Sequence, residues 1–136
     1  MSQAAEKTAS APLITPFEMV GGEAGLRRIV NRFYDIMDTN SAAAELRAMH
    51  APDLAPVREL LFQFMSGWLG GPPLYHQRAD RKCIMSAHAA FAIGPTERDQ
   101  WLMCMRKAME DVGLSPEIRA YLEEPLYRVA DAFRNR

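Results

Sequence analysis

The sequence predicts one all-α domain, and two observations lead to that fold class. Apolar residues recur at intervals of three and four along several segments, which is the spacing of one helix face and not the alternation of a strand. Glycine and proline pairs separate these segments, and no βαβ pattern is present. The 136 residues suit one domain. We expect it over residues 14–136, after a flexible tail of small and polar residues over 1–13.

The first helices follow from capping signals and apolar spacing. Thr15, Pro16 and Glu18 form a capping-box pattern that opens a short helix ended by a glycine pair. After a break near Asn40, a short apolar piece surrounds Leu46. Between these two lies a long helix with one apolar face, made of Leu26, Ile29, Val30, Phe33, Tyr34 and Met37.

The next helix begins at Pro56 and ends at a Gly-Gly-Pro-Pro run, because glycine favours a left-handed cap and proline cannot continue a helix. Residues 75–82 are polar and basic without a clean period, which predicts a loop. The predicted apolar face of the helix contains Val57, Leu60, Leu61, Phe64, Met65 and Trp68. The short helix expected after the loop holds Ile84, Ala87, His88 and Phe91.

Two amphipathic helices complete the chain. One begins near Gly94 and closes at Gly113, with Trp101 at the start of its buried face. The other begins at Ser115, and Pro125 inside its apolar pattern predicts a kink or a split. The inner face of this last helix is predicted to contain Ile118, Leu122, Leu126, Val129, Ala130 and Phe133.

Composition excludes several classes of protein. With 49% hydrophobic residues and a net charge of −1, the chain is neither disordered nor suited to binding nucleic acid through bulk charge. No apolar run reaches the roughly 20 residues of a membrane span. The first residues lack a secretory signal, so we expect a cytoplasmic protein. Cys83 and Cys104 form no zinc pattern, and both are expected to be reduced and to serve in packing.

Three side chains are candidates for a functional site. His88 lies among small uncharged residues, where it is either a hydrogen-bonded core histidine or the axial ligand of a flat cofactor. Tyr34 and Trp101 each carry a polar tip on a buried face, and a buried tip needs a partner. That partner is either a nearby backbone carbonyl or a shared polar ligand. His76, in the polar loop, is expected to be exposed.

Several motifs in order resemble the group II truncated haemoglobins. The resemblance runs from about Thr15 to Asn135. It is carried by Phe33-Tyr34, Leu46-Arg47-Ala48-Met49-His50 with Asp53-Leu54, Trp68-Leu69-Gly70-Gly71-Pro72 with Tyr75, His88 with Phe91 and Ile93, and Arg98-Asp99-Gln100-Trp101-Leu102 with Cys104-Met105.

The resemblance implies a two-over-two helical sandwich around one haem b. His88 matches the proximal ligand of iron, Tyr34 and Trp101 match distal residues, and His50 matches a third distal position. The helix residues that match haem-facing positions are Val57, Leu61, Phe64 and Met65. On the proximal side, the residues expected to contact the haem are Ile84, Phe91 and Ile93.

The chain departs from the family before the proximal helix. Ala87 stands where many members have the arginine that pairs with a haem propionate. Tyr75, Arg78, Arg81 and Lys82 are candidate substitutes, since a cation or a phenol near the haem edge would serve.

The resemblance implies binding of O₂, NO and CO at a five-coordinate iron, in a monomer or weak homodimer. Two distal donors would slow O₂ release, which favours capture, redox chemistry or sensing over oxygen transport. NO-dioxygenase or peroxidase-like chemistry would need a separate reductase or oxidant, because no flavin or nicotinamide domain is fused to the chain. The alternative is a cofactor-free interaction or sensor module on the same scaffold.

Overall fold

The computed structural model describes residues 14–136, and the tail predicted over residues 1–13 lies outside them. Across the described residues the regular structure is helical, as the sequence predicts. The elements are α1 (Pro16–Met19), α2 (Gly22–Thr39), a 3₁₀ turn (Ser41–Ala43), α3 (Ala44–Ala48), α4 (Ala55–Trp68), α5 (Ile84–Ala89), α6 (Pro95–Asp111) and α7 (Pro116–Ala132). Within this range no helix is both long and apolar enough to cross a membrane.

Two helix pairs form the body of the fold. Helix α2 packs against α4, α6 packs against α7, and the contact between α2 and α6 joins the two pairs. Each large apolar side chain that is fully buried contributes roughly 1.5–3 kcal/mol, so this crossing is a main source of stability. The side chains buried there are Leu26, Ile29, Val30, Phe33 and Met37 of α2, with Cys104, Met105 and Ala108 of α6.

The predicted helix starts are confirmed by their capping hydrogen bonds. The Glu18 amide donates to the Thr15 hydroxyl at 3.1 Å, and the Thr15 amide donates to the Glu18 carboxylate at 3.1 Å. The Gly94 amide donates to the Glu97 carboxylate at 2.8 Å, and the Ser115 hydroxyl accepts from an amide in the first turn of α7 at 3.3 Å. These bonds satisfy amide groups that the helices leave without an internal partner.

The predicted split at Pro125 is wrong, because α7 continues through that residue. Proline lacks the N–H that would bond the carbonyl of Tyr121, four residues earlier. Tyr121 lies on the solvent side of α7, with 58% of its surface exposed, so water can satisfy the released carbonyl. The packing of α7 on α6 then keeps the two halves in one helix.

The two cysteines lie in different environments. Cys104 is fully buried in the core, as predicted, and burial raises the pKa of its thiol to about 11. Cys83 is exposed at the N-cap of α5, so the prediction that it serves in packing is wrong. Helix α5 buries none of its own residues, and its first turn faces water. The backbone amides of Ser86 and Met85 lower the pKa of the Cys83 thiol.

Candidate functional site

His88 lies near the end of α5 with one ring nitrogen engaged. Its Nδ1 is 2.8 Å from the carbonyl oxygen of Ile84, one turn earlier. A carbonyl only accepts hydrogen bonds, so Nδ1 carries the proton and the neutral ring presents the lone pair of Nε2. The ring is half-buried. His88 is therefore not a fully satisfied core histidine, and its second nitrogen remains available as a ligand.

The other predicted proximal residues surround the end of α5. Ile84 is half-buried in the first turn, and Ile93 is buried just beyond the helix. Helix α5 ends at Ala89, so Phe91 lies in the following turn and not within the helix as predicted. The Phe91 amide donates to the His88 carbonyl at 3.1 Å, and 43% of the Phe91 surface is exposed. The structure thus joins Ile84 and Phe91 to His88 by hydrogen bonds, while Ile93 is buried in the segment that follows.

The rings of Tyr34 and Trp101 both contact the ring of Phe33. The Phe33 ring centroid is 4.9 Å from that of Tyr34 and 5.4 Å from that of Trp101, with edge contacts in both pairs. Tyr34 is only 5% exposed, and burial raises the pKa of its phenol far above the usual value, against a smaller opposing effect of Arg58. The phenol therefore stays protonated at neutral pH and can donate a hydrogen bond.

Neither polar tip is used within the described part of the chain. No group of residues 14–136 forms a hydrogen bond with the Tyr34 hydroxyl or with the indole N–H of Trp101. The sequence analysis left two interpretations open, a bond to a nearby backbone carbonyl or a bond to a shared polar ligand. Within residues 14–136, the first interpretation is wrong for both Tyr34 and Trp101. Both donors remain available to a ligand.

His50 lies beside Tyr34 with a similar ring arrangement to His88. The ring centroids of His50 and Tyr34 are 6.0 Å apart, and Nδ1 of His50 is 2.9 Å from the Leu46 carbonyl oxygen. That bond places the proton on Nδ1 and leaves the Nε2 lone pair free. Burial lowers the pKa of His50, and the charges of Arg47 and His88 lower it further.

Two polar side chains hold the turn that follows α3. The Arg47 guanidinium donates to the carbonyls of Ala51 and Pro52, each at 3.0 Å. From α6, the Gln100 side chain accepts a hydrogen bond from the Leu46 amide at 2.9 Å. The turn is therefore fixed both to itself and to the helix that carries Trp101. Sequence reasoning missed Gln100 as a structural residue, although it lies in a motif that carries the resemblance.

Helix α4 has two apolar faces, and this differs from the prediction. The face toward the core contains Phe62, Met65, Ser66 and Leu69, while Leu60 is exposed. Of the predicted haem-facing residues, only Met65 is on this core line. The others, Val57, Leu61 and Phe64, are half-buried on the adjoining face. These three residues therefore form a half-buried apolar stripe that packs against the core and keeps part of its surface exposed.

Phe62 is the α4 core residue that the sequence analysis missed. The apolar spacing places it off the predicted face, between Leu61 and Gln63. In the structure the guanidinium carbon of Arg27 lies 3.6 Å from the Phe62 ring centroid. This cation–π contact from α2 covers the ring. No local pattern within α4 signals it, because the covering group comes from another helix.

The basic loop after α4 is held by its own polar contacts. The Tyr75 hydroxyl donates to the Lys82 carbonyl at 2.7 Å, so this phenol already has an acceptor. Arg78 pairs with Asp80, with a closest contact of 3.0 Å, and donates to the Gln63 side chain of α4 at 3.0 Å. A guanidinium has five N–H groups. Arg78 uses one from each of its three nitrogens, which leaves two for another acceptor.

A helical sandwich that carries an available imidazole on α5, together with a cluster of a phenol, an indole and a second imidazole, defines a globin-like protein. A family model described as bacterial-like globin matches residues 15–135. The chain is 35% identical over 107 residues to Group 2 truncated hemoglobin YjbI of Bacillus subtilis (strain 168), which covers 79% of this chain and 78% of that protein.

Solved structures agree with this match. The cold-adapted truncated hemoglobin of Pseudoalteromonas haloplanktis TAC125 superposes with a TM-score of 0.84 at 39% identity, covering 90% of this chain and 99% of that one. The group II 2-on-2 hemoglobin of Agrobacterium tumefaciens gives 0.85 at 36% identity, covering 93% and 98%. The chain belongs to the bacterial-like globin family and, within it, to the group II truncated haemoglobins. It is a haem protein that binds diatomic gas ligands.

Proposed function

We propose that this chain holds one haem b between α4 and α5, with His88 as the axial ligand, and captures O₂ and related diatomic ligands. The observation that carries the proposal is the His88 ring. Its Nδ1 proton is bound to the Ile84 carbonyl, 2.8 Å away, which leaves the Nε2 lone pair available. Metal-ligating histidines are oriented by such a bond from the other ring nitrogen, because it sets the tautomer and raises the basicity of the ligating nitrogen.

The donor set and the apolar surface fit this cofactor. A neutral imidazole is a common axial donor to haem iron. The half-buried stripe of Val57, Leu61 and Phe64 offers a porphyrin face the apolar contact that it needs. Burying apolar surface contributes about 25 cal/mol per Å², so even a partial cover of the macrocycle adds several kcal/mol to its affinity.

When bound, the haem would supply an iron that takes a diatomic ligand. Tyr34 supports the ligand as a protonated donor in a buried setting, and Trp101 supplies an indole N–H from the other side of Phe33. His50 differs from both. Because its Nδ1 donates to Leu46, the neutral ring offers a lone pair, so it accepts a hydrogen bond or acts as a competing sixth ligand in the ferric state.

We assign the propionate contact to Arg78 ahead of Tyr75. The Tyr75 hydroxyl is occupied by the Lys82 carbonyl, whereas Arg78 retains two N–H groups. Asp80 holds the Arg78 guanidinium in place, and Arg78 also lowers the pKa of that carboxyl. Arg81 and Lys82 are exposed on the same loop and add positive charge at the haem edge. A fixed guanidinium binds a carboxylate with less loss of side-chain freedom than a mobile one.

The proposed role is ligand capture or redox chemistry in the cytoplasm, with reducing electrons from a separate reductase. Two donors, the buried Tyr34 and the half-buried Trp101, oppose the rapid release that oxygen transport needs. Any NO-dioxygenase or peroxidase-like activity is secondary to ligand binding on this proposal. A monomer or weak homodimer suffices, because every residue assigned to the pocket comes from one chain.

Absorption spectroscopy tests the proposal. Protein purified with haem, or reconstituted with hemin, should show a Soret band at one haem per chain, and its pyridine haemochrome should be that of haem b. The His88→Ala variant should lose five-coordinate ferrous character, and imidazole added to the buffer should restore it. His76→Ala is the matched control, since His76 is exposed in the loop.

Two results would contradict the proposal. A chain that binds no hemin would favour the cofactor-free module. Stoichiometric haem with unchanged coordination in His88→Ala would show that another side chain is the axial ligand.

A further inference from the structure

The contacts of α5 leave His88 with unusually little support from the helical core. None of the six residues of α5 is buried, and the helix makes no extensive packing contact with another described helix. A short exposed helix opens at low free-energy cost. Within α5 the His88 ring is held by the Nδ1 bond to the Ile84 carbonyl, and any further restraint must come from contacts outside the helix.

The end of the chain supplies those contacts. The Phe133 ring, just after α7, stacks on the His88 imidazole with centroids 4.3 Å apart and an angle of 19° between the planes. This stack opposes rotation of the imidazole about its side-chain bonds. Aromatic pairs of this kind contribute about 0.5–1.5 kcal/mol beyond their buried area.

Asn135 binds the segment that follows α5 through both ends of its side chain. Its Oδ1 accepts from the Ile93 amide at 2.9 Å, and its Nδ2 donates to the Phe91 carbonyl at 2.7 Å. The backbone amides of Asn135 and Arg136 both donate to the Ile93 carbonyl, at 2.8 and 3.1 Å. Four hydrogen bonds thus tie residues 91–93 to residues 135–136.

The end of α7 is itself anchored to α6. Asp131 accepts from Arg98 of α6 at 2.9 Å and from Arg134 at 3.1 Å. Both arginines lower the pKa of the Asp131 carboxyl, so the pair persists throughout the neutral range. The contacts to His88 therefore start from a fixed frame and not from a loose chain end.

We propose that residues 133–136, which we term the proximal clasp, orient His88, with Phe133 and Asn135 as positioning residues. The inference rests on the proposed axial role of His88. An open depression of about 620 Å³ is lined by residues of α5 and of the clasp, so α5 is not packed against other helices on that side. The clasp stacks Phe133 on the His88 ring and holds residues 91–93, which follow the end of α5, by hydrogen bonds.

Resonance Raman spectroscopy of the ferrous five-coordinate protein tests the clasp, because the iron–histidine stretching band responds to the orientation of the proximal imidazole. Phe133→Leu and Asn135→Ala should each move or broaden that band. Phe133→Tyr, which keeps the stacked ring, should show the band of the parent protein. Tyr121→Leu is the matched control, an exposed aromatic residue on α7. Haem transfer to apomyoglobin should become roughly two- to tenfold faster when the stack is lost.

The outcomes separate the two proposals. If the parent protein binds no haem, the proposed function fails and the clasp fails with it. If the parent shows the band and neither variant changes it, the proposed function stands and the clasp is overturned, even where the variants melt at lower temperature. If Phe133→Leu does not fold, Asn135→Ala decides, since its side chain lies at the surface.

Discussion

Removing the Tyr34 hydroxyl is the sharpest test of ligand capture. Tyr34→Phe deletes one oxygen atom and keeps the ring, so the edge contact with Phe33 at 4.9 Å is retained. The hydroxyl has no hydrogen-bond partner among residues 14–136, so its loss leaves no protein group unpaired. The substitution therefore changes what the pocket offers a ligand with little effect on the fold.

The size of the effect follows from burial. A hydrogen bond to a neutral acceptor contributes about 0.5–1.5 kcal/mol and one to a charged acceptor about 1.5–3 kcal/mol. Tyr34 is 5% exposed, so water competes weakly for its donor. A ligand that draws electron density from iron is an acceptor of intermediate charge. At about 1–2 kcal/mol for such an acceptor, we expect the O₂ dissociation rate constant to rise about 5- to 30-fold, since each 1.4 kcal/mol corresponds to tenfold.

Stopped-flow displacement of O₂ by CO measures that rate constant in the ferrous protein. Tyr121→Phe is the control, because it removes the same atom from an exposed site on α7. Trp101→Phe should also speed dissociation. The double variant gives the coupling between the two donors, which is expected to be non-additive because both contact Phe33.

An O₂ dissociation rate constant within about twofold of the parent would refute this reasoning, since even a weak neutral hydrogen bond exceeds that limit. The Soret band must be unchanged in the variant for the comparison to hold. An unchanged dissociation rate constant would mean that the Tyr34 hydroxyl does not face the ligand.

Three further predictions concern the rest of the molecule. The pKa of His50 is lower in the folded protein than its ordinary 6.5, so the folded state binds fewer protons than the unfolded state. The free energy of unfolding, measured in urea, should therefore fall as the pH drops below about 6.5. The His50→Gln variant should show a weaker dependence on pH. Gly25→Ala should lower the free energy of unfolding by about 2 kcal/mol or more, measured by urea titration, because its Cβ would lie in contact with the Val20 carbonyl oxygen, 1.9 Å away. An Ellman titration should find only Cys83 reactive in the native protein and Cys104 as well after denaturation, and a second fast native thiol would contradict the burial described.

Much of the fold could be predicted because its signals are local. The capping groups of Thr15 and Ser115 act within one helical turn, and both helix starts are confirmed. The split expected at Pro125 failed because the cost of a lost hydrogen bond is offset by packing on α6, which a local rule omits. The order of motifs was enough to identify the family, since each residue type is read directly from the chain.

Placement of the site residues needed the tertiary structure. Sequence spacing assigned a single apolar face to α4, but the structure separates a core face with Phe62 from a half-buried face with Leu61. That division depends on the angles at which α2 and the loop approach α4. Likewise, the occupied hydroxyl of Tyr75 and the available guanidinium of Arg78 follow from loop contacts, which no periodicity encodes.

The sequence by itself determined the helical class and most helix boundaries, and it supplied the imidazole, phenol and indole of the proposed site. These depend on side-chain type and on spacing within one element. Only the tertiary structure decided which nitrogen of His88 is available, that Phe133 covers the ring, and that Asn135 closes the segment after α5. The bond that sets the His88 tautomer spans one helical turn, but side-chain geometry and not spacing shows that it is made. The contacts of Phe133 and Asn135 join residues more than forty positions apart, and their geometry is set by how whole helices pack.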